Sequence, residues 1–211
     1  FNEPGAIAED TLDGNLTAMV IASGTVDPFK PGVYEIVYNV TDNAGNSAAE
    51  RIRKVVVQDT TGPVVVLLGE AVMSQEAGVA YIEPGYQAND IVDGDVTSLV
   101  QLQGEVDVKK LGSYLLQYQV ADTAGNMSDV VARTVLVSDT LPPLILLNGE
   151  PSVQVEAGSD YEDAGAVASD VFDGDISSKL ETVSNVKTDV PGLYSVKYSI
   201  SDAAGNKAEE T

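Results

Sequence analysis

The sequence of 211 residues contains no cysteine, no histidine and no tryptophan. These absences exclude disulfide bonds, cysteine nucleophiles, histidine-based catalytic triads and the zinc sites that cysteine and histidine build. Long apolar runs are also missing, so no segment is predicted to insert into a membrane. Basic residues are scarce, because 11 Lys and Arg stand against 33 Asp and Glu and the net charge is −22. Such a chain is expected to repel nucleic acid and to attract cations.

The side chains that remain for chemistry are carboxylates, hydroxyls and amides. Together with backbone carbonyls, they offer hard oxygen ligands, which suit calcium better than transition metals. Hydrophobic residues make up 44% of the sequence, which is enough to form packed cores. The composition therefore predicts a folded acidic protein, and calcium is the cofactor that it favours.

Internal repeats dominate the sequence. The motif Gly-x-Tyr-x-x-x-Tyr begins at Gly32, Gly112 and Gly192, so its interval is 80 residues. The motifs Asp-Gly-Asn/Asp and Asp-x-Ala-Gly-Asn recur with the same interval. Self-similarity at a fixed period is the signature of a tandem array of structural units.

The repeat register places three units at residues 1–58, 59–138 and 139–211. The middle unit is complete in this register. The first unit lacks the counterpart of its N-terminal strands, and the third lacks the counterpart of its C-terminal strand. We expect the sequence to be a segment of a longer array.

The apolar pattern within a unit is typical of strands. Short β-branched runs such as 64–68 and 130–137 are separated by turn signals at intervals of about ten residues. No stretch keeps an apolar period of about 3.6 residues long enough for a helix. About seven short strands per unit predict an all-β fold, with each 80-residue unit forming an antiparallel β-sandwich.

The order of the motifs resembles a known family. A Gly-x-Tyr turn resembles the tyrosine corner of immunoglobulin-like (Ig-like) sandwiches, and Asp-x-Ala-Gly-Asn then corresponds to the following F–G hairpin. The whole unit is similar to the bacterial Ig-like repeats of large secreted and surface proteins, including those beside pesticidal crystal proteins. It resembles hyalin and cadherin-like repeats more distantly. The resemblance covers essentially the whole sequence and implies a structural or adhesive module of the bacterial cell surface, with no catalytic activity.

The resemblance also implies that repeated acidic residues converge. In an Ig-like sandwich the start of the unit, the B–C loop and the F–G loop lie at one end, and in this sequence all three carry Asp. Several carboxylates in one place repel each other unless a cation neutralises them, and calcium accepts about six to eight oxygens. The predicted calcium ligands are Asp10, Asp13, Asn15, Asp42 and Asn46 in the first unit, Asp59, Asp90, Asp93, Asp95, Asp122 and Asn126 in the middle unit, and Asp139, Asp170, Asp173, Asp175, Asp202 and Asn206 in the third. Glu76 and Glu156, in a loop predicted at the opposite end, are candidates to complete a site in the neighbouring unit.

Turn formation without any metal is the alternative explanation of the same residues. Asp-Gly is a strong turn dipeptide, and an Asp side chain can accept hydrogen bonds from the backbone of its own turn. The EF-hand loop is not matched, because Asp-x-x-Asp-Gly-Asp has the wrong spacing and no Glu stands at the twelfth position. The sequence alone leaves both explanations open.

The predicted function is a calcium-stiffened spacer or stalk segment of a larger extracellular protein, with the neighbouring repeats as its partners. The linkers 59–63 and 139–143 are short and contain proline, so we expect little freedom at the junctions. One alternative is a self-assembling filament subunit that exchanges strands with other copies at the open first and last units. A second is a carbohydrate-binding module appended to an enzyme, for which Tyr86, the one tyrosine that no other unit shares, is the candidate platform.

Overall fold

The computed structural model describes residues 1–210, and almost all of the regular structure in it is β-strand. Strands make up 41% of the chain and helices 4%. The helical residues lie in three short 3₁₀ segments, Thr17–Met19, Thr97–Leu99 and Ser177–Lys179. The predicted all-β fold is confirmed. None of these helices is long or apolar enough to cross a bilayer.

The strands follow the same order in the three repeats. In the first repeat they are β1 (Glu9–Asp10), β2 (Gly14–Asn15), β3 (Ile21–Ser23), β4 (Gly32–Asn39) and β5 (Arg51–Val57). In the middle repeat they are β6 (Val64–Leu67), β7 (Val72–Glu76), β8 (Tyr86–Asp90), β9 (Gly94–Asp95), β10 (Gln101–Gln103), β11 (Gly112–Gln119) and β12 (Val131–Ser138). In the third they are β13 (Leu144–Leu147), β14 (Ala166–Asp170), β15 (Gly174–Asp175), β16 (Glu181–Ser184), β17 (Val196–Ser201) and β18 (Lys207–Glu210).

Each repeat contributes two small sheets. The strand orders are β1-β2 and β3-β4-β5 in the first repeat, β6-β8-β9 and β10-β11-β12-β7 in the middle repeat, and β13-β14-β15 and β16-β17-β18 in the third. The β11–β12 pair is antiparallel, with Gly112 opposite Val137 and Tyr118 opposite Val131. The β7–β12 pair is parallel instead. After β6 the chain crosses to the other sheet, where β7 forms the edge strand beside β12 and runs in the same direction.

The chain forms two compact units that do not coincide with the repeats. One comprises residues 1–66, 86–101 and 119–130, and the other 67–85, 102–118 and 131–211. In the second unit the core of the third repeat is built from Ile145, Ala168, Ile176, Tyr198 and Ile200. These side chains come from both sheets of that repeat, so the two sheets pack face to face as a sandwich. Each fully buried isoleucine of such a core contributes about 1.5–3 kcal/mol.

The Gly-x-Tyr motif forms the tyrosine corner that it predicted. The Tyr114 hydroxyl donates to the Lys110 carbonyl at 2.7 Å. The same bond joins Tyr34 to Lys30 at 2.8 Å and Tyr194 to Val190 at 2.9 Å. Because the acceptor is a backbone carbonyl, valine replaces lysine in the third repeat without loss of the bond.

A buried arginine is the main feature that the sequence analysis missed. Arg133, on β12, is 0% exposed, and its Nη2 donates to the carbonyl of Leu68 at 2.7 Å and lies 3.3 Å from Oε1 of Glu83. Arg53 pairs with Glu3 in the corresponding place of the first repeat. The signal was present, because the two arginines are 80 residues apart in strands that are otherwise rich in valine.

Candidate metal site

The structure brings three aspartates together in two places. In each cluster, one carboxylate oxygen from every member lies within 4.8 Å of the others. One member comes from the linker before the repeat, one from the end of the strand that precedes the Asp-Gly turn, and one from the Asp-x-Ala-Gly-Asn hairpin. The first cluster is Asp59, Asp90 and Asp122, and the second is Asp139, Asp170 and Asp202. These are the three segments that the sequence analysis expected to converge.

Asp170 uses only one of its two carboxylate oxygens in its turn. It ends β14, and its Oδ1 accepts hydrogen bonds from the backbone N–H groups of Phe172 at 2.7 Å and Asp173 at 2.9 Å. Its Oδ2 is buried and has no hydrogen-bond partner among residues 1–210. Asp90 accepts the same two turn bonds, from Val92 and Asp93.

The hairpin aspartates are held by the asparagine of their own motif. Oδ1 of Asp202 accepts the backbone N–H of Asn206 at 2.8 Å, and Oδ2 accepts its side-chain Nδ2 at 2.8 Å. Asp122 and Asn126 repeat this arrangement at 2.7 Å. Burial works to raise the pKa of Asp202, but these hydrogen bonds outweigh it and the pKa lies below its ordinary value. Asp202 is therefore a fixed, ionised member of its cluster.

Each linker aspartate has a buried carboxylate oxygen without a hydrogen-bond partner within residues 1–210. Asp139 is only 9% exposed, and its Oδ2 is buried without a hydrogen-bond partner in the described part of the chain. Burial, followed by the charges of Asp170 and Asp202, raises the pKa of Asp139 to about 6. Asp59 also has a buried Oδ2 with no partner within residues 1–210, while its Oδ1 accepts a hydrogen bond of 3.3 Å from Thr61.

Repulsion within a cluster is large enough to require compensation. At an effective dielectric constant of about 20, two charges within 4.8 Å of each other repel by at least about 3.5 kcal/mol. Calcium binds oxygens at about 2.3–2.6 Å, so two of its ligands lie at most about 5 Å apart. Three carboxylate oxygens within 4.8 Å of one another thus fit one shared calcium ion and supply three of its six to eight ligands.

The Asp-Gly aspartates lie outside these clusters. Oδ2 of Asp93 accepts the backbone N–H of Thr123 at 2.7 Å. Asp13 accepts that of Asn43, and Asp173 accepts that of Ala203. Each of these carboxylates therefore joins its Asp-Gly turn to the hairpin of the same repeat. In the middle and third repeats, these two segments supply two members of the cluster.

The residues two positions after the Asp-Gly aspartates also accept hydrogen bonds from the nearby backbone. Oδ1 of Asn15, Asp95 and Asp175 accepts a backbone N–H at 2.9, 2.9 and 3.0 Å at the start of each 3₁₀ segment. For Asp95, the hydrogen bonds from Thr97 lower the pKa. The structure gives each of these residues another hydrogen-bond partner. Their role as calcium ligands stays a prediction, and so does that of the Asp-Gly aspartates and of Asn46, Asn126 and Asn206.

The first repeat offers two carboxylates in the corresponding place. Asp10 accepts the backbone N–H of Leu12 at 2.8 Å, and Asp42 accepts that of Asn46 at 2.7 Å. No cluster of three acidic residues includes them within residues 1–210.

Comparison with known proteins agrees with the repeat register. A family model described as "Bacterial surface protein, Ig-like domain" matches residues 1–57, 65–137 and 145–211. The exact boundaries of the predicted units stay a prediction.

Two known proteins are similar to the chain at low identity. The pesticidal crystal protein Cry22Aa of Bacillus thuringiensis is 27% identical over 214 residues, which cover 97% of this chain and 28% of that protein. Hyalin of Lytechinus variegatus is 28% identical over 162 residues, which cover 72% of this chain and 30% of hyalin. This chain therefore spans less than a third of the length of either relative.

A solved structure is also similar. The lipoprotein BT2262 from Bacteroides thetaiotaomicron is 22% identical, with a TM-score of 0.34 and coverage of 66% of this chain and 56% of that one.

Proposed function

Because the chain belongs to the bacterial surface Ig-like family, we propose that it is a spacer or stalk segment of an extracellular bacterial protein in which calcium stiffens the junctions between repeats. In this proposal the chain is not an enzyme. Its partners are the neighbouring repeats, and the ion is held by the two three-aspartate clusters. The observation that carries the proposal is the pair of buried, unpartnered Oδ2 atoms of Asp139 and Asp170.

Turn formation alone does not account for those two atoms. The turn after Asp170 uses Oδ1 and leaves Oδ2 buried in the cluster. A buried carboxylate oxygen without a partner is unfavourable unless the group is protonated or faces a cation. The local hydrogen bonds therefore explain the positions of the aspartates but not the orientation of their second oxygens.

The linker aspartates connect this chemistry to a mechanical role. Asp139 belongs to the segment that joins the middle and third repeats, whereas Asp170 and Asp202 belong to the third repeat itself. An ion shared by the three ties the linker to the repeat that follows it. Extracellular calcium modules bind with dissociation constants of about 10⁻⁴ to 10⁻³ M, and we expect this range here.

Calorimetric titration of the whole chain tests the proposal. We expect two calcium ions per chain, one at each cluster. Asp139→Asn removes a charge from the second cluster and should remove one of the two ions. Asp107→Asn is the matched control, because Asp107 caps an exposed turn at Lys109 with its Oδ1, a bond that an asparagine oxygen can also accept. The absence of binding by the wild-type chain at millimolar calcium would refute the proposal and favour turn formation alone.

The filament and carbohydrate-binding alternatives stay predictions. Tyr86 opens β8 and is half-buried, so it does not present the open aromatic face that sugar binding favours. Neither alternative is needed to explain the buried carboxylates.

A further inference from the structure

The end of β7 and the loop that follows it contact the two segments that supply Asp139 and Asp170. Oε1 of Glu76 accepts the backbone N–H of Thr140 at 2.8 Å, and Oε2 accepts its hydroxyl at 2.6 Å. Two residues further along, Gly78 lies so close to Val171 that a Cβ on Gly78 would be 2.6 Å from the Val171 carbonyl oxygen. The residues that these contacts fix, Thr140 and Val171, are the direct neighbours of the two aspartates.

The backbone on the other side of Asp139 is fixed as well. Glu76 lies opposite Ser138 at the end of the parallel β7–β12 pair. The Ala77 N–H then donates to the Ser138 carbonyl at 2.9 Å. Asp139 thus stands between Ser138, which the sheet holds, and Thr140, which Glu76 holds, so its backbone is fixed on both sides.

Glu76 also acts through its charge. Burial works to raise its pKa, but the hydrogen bonds from Thr140 and Leu141 outweigh burial, so the pKa is lowered and the group stays ionised. Its negative charge acts on Asp139 in addition to those of Asp170 and Asp202. This additional negative charge beside the three aspartates strengthens the attraction for a cation.

We infer that Glu76 is a positioning residue through which the middle repeat assembles the cation site of the third repeat. The inference rests on the proposed calcium binding. It adds that the contact of Glu76 with Thr140 and the binding of calcium at the Asp139 cluster are coupled. By linkage, the contact that improves calcium binding is itself strengthened when calcium binds. Glu156 occupies the same place in the third repeat, where it is exposed, and serves as the matched position.

The test compares Glu76→Ala, Glu76→Gln and Glu156→Ala in the full chain. We expect Glu76→Ala to weaken calcium binding at the Asp139 cluster about 5- to 30-fold, while the Asp59 cluster of the same molecule is unchanged. Glu76→Gln keeps an acceptor oxygen for Thr140 and should lose less affinity. Glu156→Ala should bind both ions as the wild type does.

Hydrogen exchange of the Thr140 amide provides the second readout. With a chelator present, exchange should be faster in Glu76→Ala than in the wild type, while core amides such as that of Tyr198 stay equally protected. Calcium should slow exchange at Thr140 in the wild type and do so less in Glu76→Ala. If the wild type binds two ions and Glu76→Ala binds both equally well, the inference is wrong although the proposed function stands. A wild type that binds no calcium overturns both.

Discussion

The raised pKa of Asp139 predicts an unusual dependence of stability on pH. Without calcium, acidifying the solution from pH 7 to pH 5 should stabilise the fold. The pKa is about 6 in the folded chain against an ordinary value of 3.8, so the folded state binds the proton more tightly. Between these values the folded state holds more protons than the unfolded one, and stability therefore falls as the pH rises from about 4 to 6.

The magnitude follows from the size of the shift. A difference of about two pKa units corresponds to about 3 kcal/mol, of which about 1.3 kcal/mol falls between pH 7 and pH 5. Asp139 keeps 9% of its surface exposed, and screening by the solvent there leaves an expected difference of about 1 kcal/mol. Carboxylates whose pKa is lowered, such as Asp122, Asp202 and Glu76, stabilise the fold above their ordinary pKa values of 3.8 to 4.5, and this contribution is lost only as the pH falls below that range. The change in stability between pH 5 and pH 7 is therefore expected to come from Asp139.

Urea denaturation in the presence of a chelator, followed by circular dichroism, measures this difference. Asp139→Asn should be more stable than the wild type at pH 7 and should lose the dependence between pH 5 and 7, whereas Asp107→Asn should keep it. With saturating calcium the sign reverses, because protons then compete with the ion for the same carboxylate. Equal wild-type unfolding free energies at pH 5 and 7 without calcium, or an unchanged dependence in Asp139→Asn, would refute the reasoning.

Two further predictions concern the fold around the clusters. Gly78→Ala should lower the melting temperature more than Gly158→Ala, because both glycines have a positive φ but only Gly78 meets a backbone oxygen, that of Val171; equal losses in the two thermal melts would argue against that contact. Tyr114→Phe removes the hydroxyl that bonds the Lys110 carbonyl and should cost about 1 kcal/mol in chemical denaturation, and a change near zero would show that the tyrosine corner adds no stability.

The sequence predicted the repeat, the strands and the tyrosine corner because each depends on local patterns copied every 80 residues. It also predicted which three segments converge, since the order of the motifs resembles the loops of an Ig-like domain. It did not predict which carboxylate of Asp-x-x-Asp-Gly-Asp enters the cluster. Asp90 and Asp93 stand in one turn, but their side chains point in different directions. The Asp90 carboxylate enters the cluster, whereas that of Asp93 bonds to Thr123.

The contacts of Arg133 and Glu76 were harder to predict for a different reason. Arg133 lies within an apolar strand, and the sequence around it does not indicate which carbonyl and which carboxylate it contacts. Glu76 was placed in a loop facing the next unit, but its two hydrogen bonds to Thr140 depend on the parallel β7–β12 pair. That pair brings residues far apart in sequence to the start of the linker, and no local pattern encodes it.

Anomalous diffraction from crystals grown in calcium tests the central claim most directly. We predict one peak between Asp139, Asp170 and Asp202, with the Oδ2 atoms of Asp139 and Asp170 among the ligands, and a second peak between Asp59, Asp90 and Asp122. Crystals grown in millimolar calcium that show no peak at either cluster would contradict the claim and leave these aspartates as turn formers.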